Sequence, residues 1–130
     1  MELIHIPMSP GELLDKITIL EIKSERMSDE VKLANVRTEL KLLQDTWAAA
    51  VTEDDTVRRL HGELKAINEK LWDIEDDIRD KERAREFDDR FIELARAVYY
   101  TNDDRAAAKK ALNLHLGSTI VEEKSYADYT

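Results

Sequence analysis

The feature that most constrains the fold is a stripe of apolar residues that repeats at alternating intervals of three and four positions between residues 57 and 78. The stripe consists of Val57, Leu60, Leu64, Ile67, Leu71, Ile74 and Ile78. Such spacing is typical of a helix that packs along one seam against a partner helix. Both prolines lie within the first ten residues and only three glycines occur, so little interrupts helices after Pro10. The sequence therefore predicts an all-α protein.

Local capping signals divide the chain into five predicted helices. Ser9-Pro10-Gly11-Glu12 has the pattern of a capping box, so we expect the first helix over residues 10–27. The second begins at the Ser28-Asp29-Glu30 cap and runs to about residue 51, the third spans 55–85 and the fourth spans 89–100. The polar cluster at 101–104 is interpreted as the cap of a fifth helix that ends at Leu116.

The predicted architecture is a helical bundle with short extended terminal arms. The second and third helices should form a long antiparallel hairpin, because a short polar turn joins them and each has an apolar seam. Residues 119–121 of the second arm are apolar enough to pair with the first arm.

The first helix has apolar residues on two sides. Leu13, Ile17 and Leu20 form one stripe, whereas Ile19 and Ile22 lie on roughly the opposite side. A helix that is apolar on two sides is buried on two sides. We therefore expect this helix to be central, either within the subunit or at a subunit contact. Its two apolar sides and the length of the third helix favour a homodimer.

Charge and residue content exclude several classes of function. The chain has 29 acidic and 20 basic residues, and its net charge of −9 repels phosphate backbones and anionic membrane surfaces. Nucleic-acid binding and membrane docking are therefore not expected. The absence of cysteine excludes disulfides and thiolate chemistry. No apolar segment is long enough to span a membrane, and the first ten residues lack a secretory signal. A cytoplasmic single domain over residues 1–130 is expected.

The sequence predicts neither a metal site nor a cofactor site. None of the three histidines (His5, His61 and His115) has another histidine or an acid three or four positions away on its own predicted helix, and no glycine-rich phosphate loop is present. An acidic stripe on the third helix could bind a divalent cation. Because it lies opposite the apolar seam, a solvated charged face is the favoured interpretation. The stripe consists of Asp73, Asp76, Asp77 and Asp80.

Three basic residues of the first helix are candidate ligand-binding residues: Lys16, Lys23 and Arg26. Together with Asp15, they lie beside apolar positions of a helix that we expect to be buried, where a charge must be paired or must bind a ligand. Lys16 and Lys23 are seven residues apart and therefore on the same side, so they could bind a small dianion. The alternative, which we favour, is that Glu12 and acids of other helices neutralise them.

Two further candidates lie between the fourth and fifth predicted helices. Asn102 and Arg105 belong to a predicted connection, and connections carry function more often than helix faces do. Asn102 is also a residue that a helix start requires. The polar tail segment 122–126 is a candidate for ordering on a partner only.

Four blocks of the chain resemble an uncharacterised family of small bacterial proteins that is classed only as a domain of unknown function. These blocks are residues 9–26, Leu94 to Tyr99, Thr101-Asn102-Asp103 and the closing Val121 to Tyr126. The resemblance implies a stand-alone bacterial protein and supplies no reaction or catalytic residue. Leu13-Leu14-Asp15-Lys16-Ile17 is also similar to the first helix of the all-helical chorismate mutases. That second likeness implies a dianion held between helices by arginine and lysine, but it ends after one helix.

Two functional hypotheses follow from these patterns. The leading one is a non-enzymatic protein-interaction or regulatory module, because no nucleophile–base pair, metal motif or cofactor loop is recognisable. The alternative is a small metabolite-binding protein or enzyme that holds an anionic ligand with basic residues of the first helix. Whether the protein is an enzyme is left open.

Overall fold

The computed structural model describes residues 1–129 and confirms the all-α prediction. It contains four helices, α1 (Pro10–Arg26), α2 (Glu30–Ala50), α3 (Asp55–Ala84) and α4 (Asp89–His115). Each begins where the capping signals predict, because the side chains of Ser9, Asp29, Asp54 and Asp88 each accept a hydrogen bond from the backbone N–H three residues later. One detail of the capping box differs. The Glu12 carboxylate forms an ion pair with Lys109 at 2.7 Å.

The prediction of separate fourth and fifth helices is wrong. α4 continues through residues 101–104 without a break, so the polar cluster there is helix interior and not a cap. Leu94, Thr101, Ala108 and Leu112 form a continuous buried stripe along α4. Polar residues in a helix interior cost only a few tenths of a kcal/mol each, roughly, and burial of this stripe outweighs that cost.

The predicted hairpin of the second and third helices is replaced by two other pairings. Over the described residues, α2 packs closely against α1, and α3 packs against α4 and α1. Short connections join both pairs, and Arg85, at the end of α3, adopts the left-handed conformation that turns the chain into α4. The seam of α3 faces inward as predicted, since four of its members are buried and three are half-buried.

α1 is the central helix, as its two apolar sides predicted. It contacts α2, α3 and α4, and Leu14, Ile17, Leu20 and Ile22 are all buried. The protein's own helices cover both sides of α1. The main hydrophobic core lies around the first half of α1 and combines it with Trp47 of α2 and with residues of α3 and α4.

α1 and α4 approach each other most closely at Gly11. Its backbone N–H donates a 2.7 Å hydrogen bond to the buried Asn113 side chain. A Cβ atom added at Gly11 would lie 2.5 Å from the Lys109 carbonyl oxygen and 2.8 Å from Asn113 Oδ1. Glycine at this position therefore lets the two helices meet backbone to backbone.

Both terminal arms are non-helical, and no β-strand occurs within residues 1–129. The suggested strand pairing of residues 119–121 with the first arm is thus absent. The second arm, which we call the tail, comprises residues 118–129 of the described chain and contacts α4. The expected domain range ends at Thr130, which lies outside the described residues. No described helix is long and apolar enough to cross a membrane.

Candidate functional site

A buried polar network joins α1, α3 and α4. Asp15 of α1 is 1% exposed and accepts hydrogen bonds from Arg105 Nε at 2.8 Å and from Arg105 Nη2 at 2.5 Å. Asn68 Nδ2 of α3 donates to Asp15 Oδ1 at 3.0 Å and to Thr18 Oγ1 at 2.9 Å. Within residues 1–129, no fully buried side-chain nitrogen or oxygen lacks a partner. The network therefore satisfies its own charges.

The network holds Asp15 and Arg105 in their charged states. Burial acts to raise the pKa of Asp15, but the hydrogen bonds from Arg105 and Asn68 outweigh it, so the pKa lies below its usual value. The hydrogen bond to Asp15 raises the pKa of Arg105. A carboxylate with a lowered pKa is a poor general base near neutral pH. These two groups are therefore suited to fixing α4 against α1 rather than to proton transfer.

Arg105 and Asn102 lie one helical turn apart and line two open grooves. The first, which we call the Lys23 groove, has a volume of about 440 Å³ and is walled by α1, α3 and α4. Its floor is apolar, and its rim carries both signs of charge. It is lined by Ile19, Ile22, Lys23, Asn68, Leu71, Trp72, Glu75, Asp76, Arg79, Asn102 and Arg105.

Three of the five predicted ligand-binding residues meet in the Lys23 groove, namely Lys23, Asn102 and Arg105. Lys23 is half-buried and forms no ion pair in the described part of the chain. The predicted neutralisation by acids of other helices therefore does not apply to it.

The other two predicted residues lie outside the grooves. Lys16 is exposed and lines neither groove. Arg26 forms an ion pair with Asp73 at 2.6 Å and lies 5.9 Å from the centre of the Trp72 ring. An acid of another helix therefore neutralises Arg26, as predicted for the basic residues of the first helix.

The second groove, which we call the tail groove, lies between α4 and the tail. Its volume is about 540 Å³. Arginine and lysine side chains, acidic side chains and two tyrosines surround it. It is lined by Glu12, Val98, Tyr99, Asn102, Asp103, Arg105, Ala106, Lys109, Glu122, Lys124 and Tyr126.

Charged side chains attach the tail to α4. Lys109 Nζ lies 2.9 Å from Glu122, and Lys110 Nζ lies 3.7 Å from Glu123. About two turns earlier on α4 and one residue later in the tail, Asp103 lies 3.9 Å from Lys124. The tail therefore runs back along α4, with each charge opposite one of the other sign.

Aromatic rings hold the end of the tail. The Tyr129 ring centre lies 4.9 Å from the ring centres of both Tyr99 and Tyr100. The Tyr129 hydroxyl donates a hydrogen bond to Asp103, which raises the pKa of Tyr129 to about 12. The tail segment that the sequence marked for ordering on a partner thus lies against a helix of its own chain.

Two residues with prominent contacts, Asn68 and Lys109, were not predicted from the sequence. Asn68 lies one turn after Leu64 on the buried side of α3, and an isolated polar residue beside an apolar seam is a usable signal for a buried hydrogen bond. Lys109 is 9% exposed and contacts both Glu12 and Glu122. The paired lysines 109–110 and the paired acids 122–123 were the signal for that contact.

The structure places the acidic residues of α3 in solvent. Asp73, Asp76, Asp77 and Asp80 are all exposed, which agrees with a solvated face. Among residues 1–129, no group of three or more histidine, aspartate or glutamate side chains is arranged to hold a metal ion. His61 and His115 each contact a single acid, Glu21 at 2.7 Å and Asp54 at 2.8 Å.

Comparison with known proteins supplies a family but no activity. A family model described as "Family of unknown function (DUF6165)" matches residues 4–129. No curated protein and no solved structure matches the chain. The likeness of the first helix to the chorismate mutases therefore stays a sequence-based prediction.

Proposed function

Because the chain belongs to the DUF6165 family, whose description assigns no activity, we propose from its geometry that the protein is a cytoplasmic, non-enzymatic interaction module. In this proposal the docking surface for a partner protein is the α4 surface that the tail covers, which borders the tail groove. The observation that carries the proposal is the tail itself, because it lies on α4 as an extended peptide ligand would.

The contacts of the tail favour exchange for a partner. The Lys110–Glu123 and Lys124–Asp103 ion pairs are solvent-exposed and longer than 3.5 Å, and pairs of this kind contribute at most about 1 kcal/mol each. The hydrophobic core is formed by residues of the helices and their connections up to Leu116. Release of the tail would therefore expose the α4 surface without opening the core.

Site-specific photo-crosslinking tests this proposal in cells. Ala106 lines the tail groove, so a photoreactive p-benzoylphenylalanine at this position should form a crosslink to a partner of defined mass. The same probe at Ala66, which is exposed on α3 and lines neither groove, is the matched control. The Lys110→Glu change should weaken the crosslink several-fold, because it reverses the charge of a half-exposed α4 side chain on the surface that a partner shares with the tail. Identical crosslinks from both positions would contradict the proposal.

A second candidate function has its own supporting observation. Lys23 is a half-buried cation without an ion pair in the described residues, and it faces Arg105 and Asn102 across an apolar floor that includes Trp72. A small anionic metabolite with an apolar body would match this arrangement, since ligand sites combine apolar walls with a few placed polar groups. Glu75 and Asp76 on the same rim oppose an anion, which is why we rank this function second.

Thermal-shift screening against anionic metabolites, nucleotide sugars and divalent ions tests the second candidate. A ligand at about 100 times its dissociation constant should add roughly 2.7 kcal/mol of stability, and the melting temperature should rise by several degrees. Lys23→Ala should abolish that shift, whereas Lys16→Ala should retain it. Lys16 is the matched control because it also lies on α1 without an ion pair, but outside both grooves. If both variants lose the ligand-induced shift equally, the Lys23 groove is not the ligand-binding site.

We also propose that the protein forms a homodimer. The observation that supports this differs from the sequence pattern that first suggested it. The protein's own helices cover both sides of α1, so its apolar sides no longer favour a subunit contact. The exposed apolar side chains Phe87 and Ile92, near the turn between α3 and α4, support a subunit contact at that end.

A further inference from the structure

The tail and α4 are complementary in charge, and from Lys124 onward the tail runs back along the helix. On α4, Lys109 and Lys110 contact the two adjacent acids Glu122 and Glu123 of the tail. Asp103, which lies earlier on α4, contacts Lys124, the next tail residue. Beyond this charged stretch, Tyr129 reaches the Tyr99 and Tyr100 rings. The α4 surface is therefore specific for one direction of an extended chain.

Lys109 is the centre of this surface. Its side chain is only 11% exposed and lies between Glu12 of α1, at 2.7 Å, and Glu122 of the tail, at 2.9 Å. A buried cation loses solvation and needs anions around it. When Glu122 leaves, Lys109 keeps Glu12 and loses its second carboxylate. An incoming carboxylate at the same position restores the pair.

We infer that the α4 surface covered by the tail binds an extended segment of a partner protein in which two adjacent acidic residues are followed, a few positions later, by tyrosine. This inference rests on the proposed function and names the chemistry of its partner. The protein's own tail is the competing ligand within the same chain. Charge complementarity and the Tyr99–Tyr100 surface supply the specificity.

The tail weakens partner binding because it is always nearby. A short flexible connection holds a tethered ligand at an effective concentration in the millimolar range, roughly. Only Leu116 and Gly117 separate α4 from the tail, and the φ of 67° at Gly117 turns the chain at the helix end. The apparent affinity for a partner is the intrinsic affinity multiplied by the fraction of molecules with the tail released. Changes within the tail that release it, with the α4 surface unaltered, should therefore increase partner binding.

Fluorescence anisotropy with full-length protein tests the inference. The probe is a labelled synthetic peptide with the sequence of residues 118–130, used as a separate ligand. A full-length variant carrying E122K and E123K has a tail that lysines 109 and 110 repel. It should bind the wild-type peptide at least tenfold more tightly than the wild-type protein does. Both changes lie at exposed positions, and unchanged helical circular dichroism would verify the fold.

A charge-reversed peptide is the matched control. The peptide with the E122K and E123K changes should bind the same variant at least tenfold more weakly than the wild-type peptide. Equal binding of both peptides would overturn the inference, and so would failure of the wild-type peptide to bind the variant at millimolar concentration. In the second case, a crosslink at Ala106 that Lys110→Glu weakens would show that the groove still docks a partner of other chemistry.

Light scattering separates a partner protein from a second copy of this chain. If wild-type protein is a dimer that the E122K and E123K changes convert to a monomer, the occupant is the tail of a second copy, and the inference of a different partner is overturned. Unchanged mass, together with tighter peptide binding, supports the inference.

Discussion

Gly11→Ala should lower the free energy of unfolding by about 3 kcal/mol, since overpacking costs about 1–3 kcal/mol and an unsatisfied buried polar group costs a similar amount. The new Cβ would lie 2.5 Å from the Lys109 carbonyl oxygen, which belongs to the α4 backbone and cannot rotate away. The two helices must then separate, and this lengthens the hydrogen bond that the Gly11 N–H donates to the buried Asn113 side chain. Urea unfolding followed by circular dichroism at 222 nm measures the change.

Gly62→Ala is the matched control for this substitution. Gly62 is exposed in the interior of α3, and an added Cβ would meet nothing within 4 Å. Alanine is favoured over glycine in helices, so this variant should gain about 0.5–1 kcal/mol. If Gly11→Ala is as stable as wild type, the close approach of α1 and α4 is incorrect.

Asp15→Asn should also lower the free energy of unfolding by about 3 kcal/mol, because it removes the negative partner of Arg105. The side-chain volume is nearly unchanged by this substitution. Breaking a buried pair typically costs about 3–5 kcal/mol. The Arg105 side chain is 30% exposed, and partial solvation puts our expectation at the lower end of that range. Asp45→Asn is the matched control, since Asp45 pairs with Lys41 on the exposed face of α2 and should contribute less than about 1 kcal/mol.

The stability contributed by Asp15 should depend on pH in a defined direction. Burial raises its pKa, but the stronger hydrogen bonds from Arg105 and Asn68 place the folded-state pKa below the ordinary value of 3.8. The unfolded chain therefore binds the proton more tightly, and stability falls as pH decreases. The difference in the free energy of unfolding between wild type and Asp15→Asn should have its full size above about pH 5 and should shrink below about pH 4. A difference that stays constant down to pH 2 would contradict the ionised Asp15–Arg105 pair.

Local signals predicted the helix starts and the buried side of α3. Ser9, Asp29, Asp54 and Asp88 all cap helices where the sequence places them. A cap acts on backbone groups within the first turn, and an apolar stripe recurs within one helix, so both are visible in a short window of sequence. The same reasoning predicted that α1 is buried on two sides.

The local signals were weaker guides to helix length. Residues 101–104 have the composition of a helix start, yet α4 continues through them. A cap signal states only that a helix can begin at a position. Whether the preceding helix ends there depends on tertiary burial, and the buried stripe from Leu94 to Leu112 keeps α4 continuous.

The candidate site was only partly predictable. Asp15 and Lys23 were both recognised as charges on a helix that should be buried, but the sequence did not distinguish the paired one from the unpaired one. Asp15 is paired because Arg105, ninety positions later in the chain, reaches it from α4. Lys23 has no such partner in the described residues.

The sequence alone determined that this protein is all-helical, where its helices begin and which sides of them are buried, because these properties depend on residues within one or two helical turns. Only the tertiary structure decided that α1 pairs with α2 and α3 with α4, that Arg105 meets Asp15, and that the tail covers α4. Several apolar stripes in this chain could pair in more than one combination. The free energy of the whole packed arrangement selects among these combinations, and no local pattern encodes that sum.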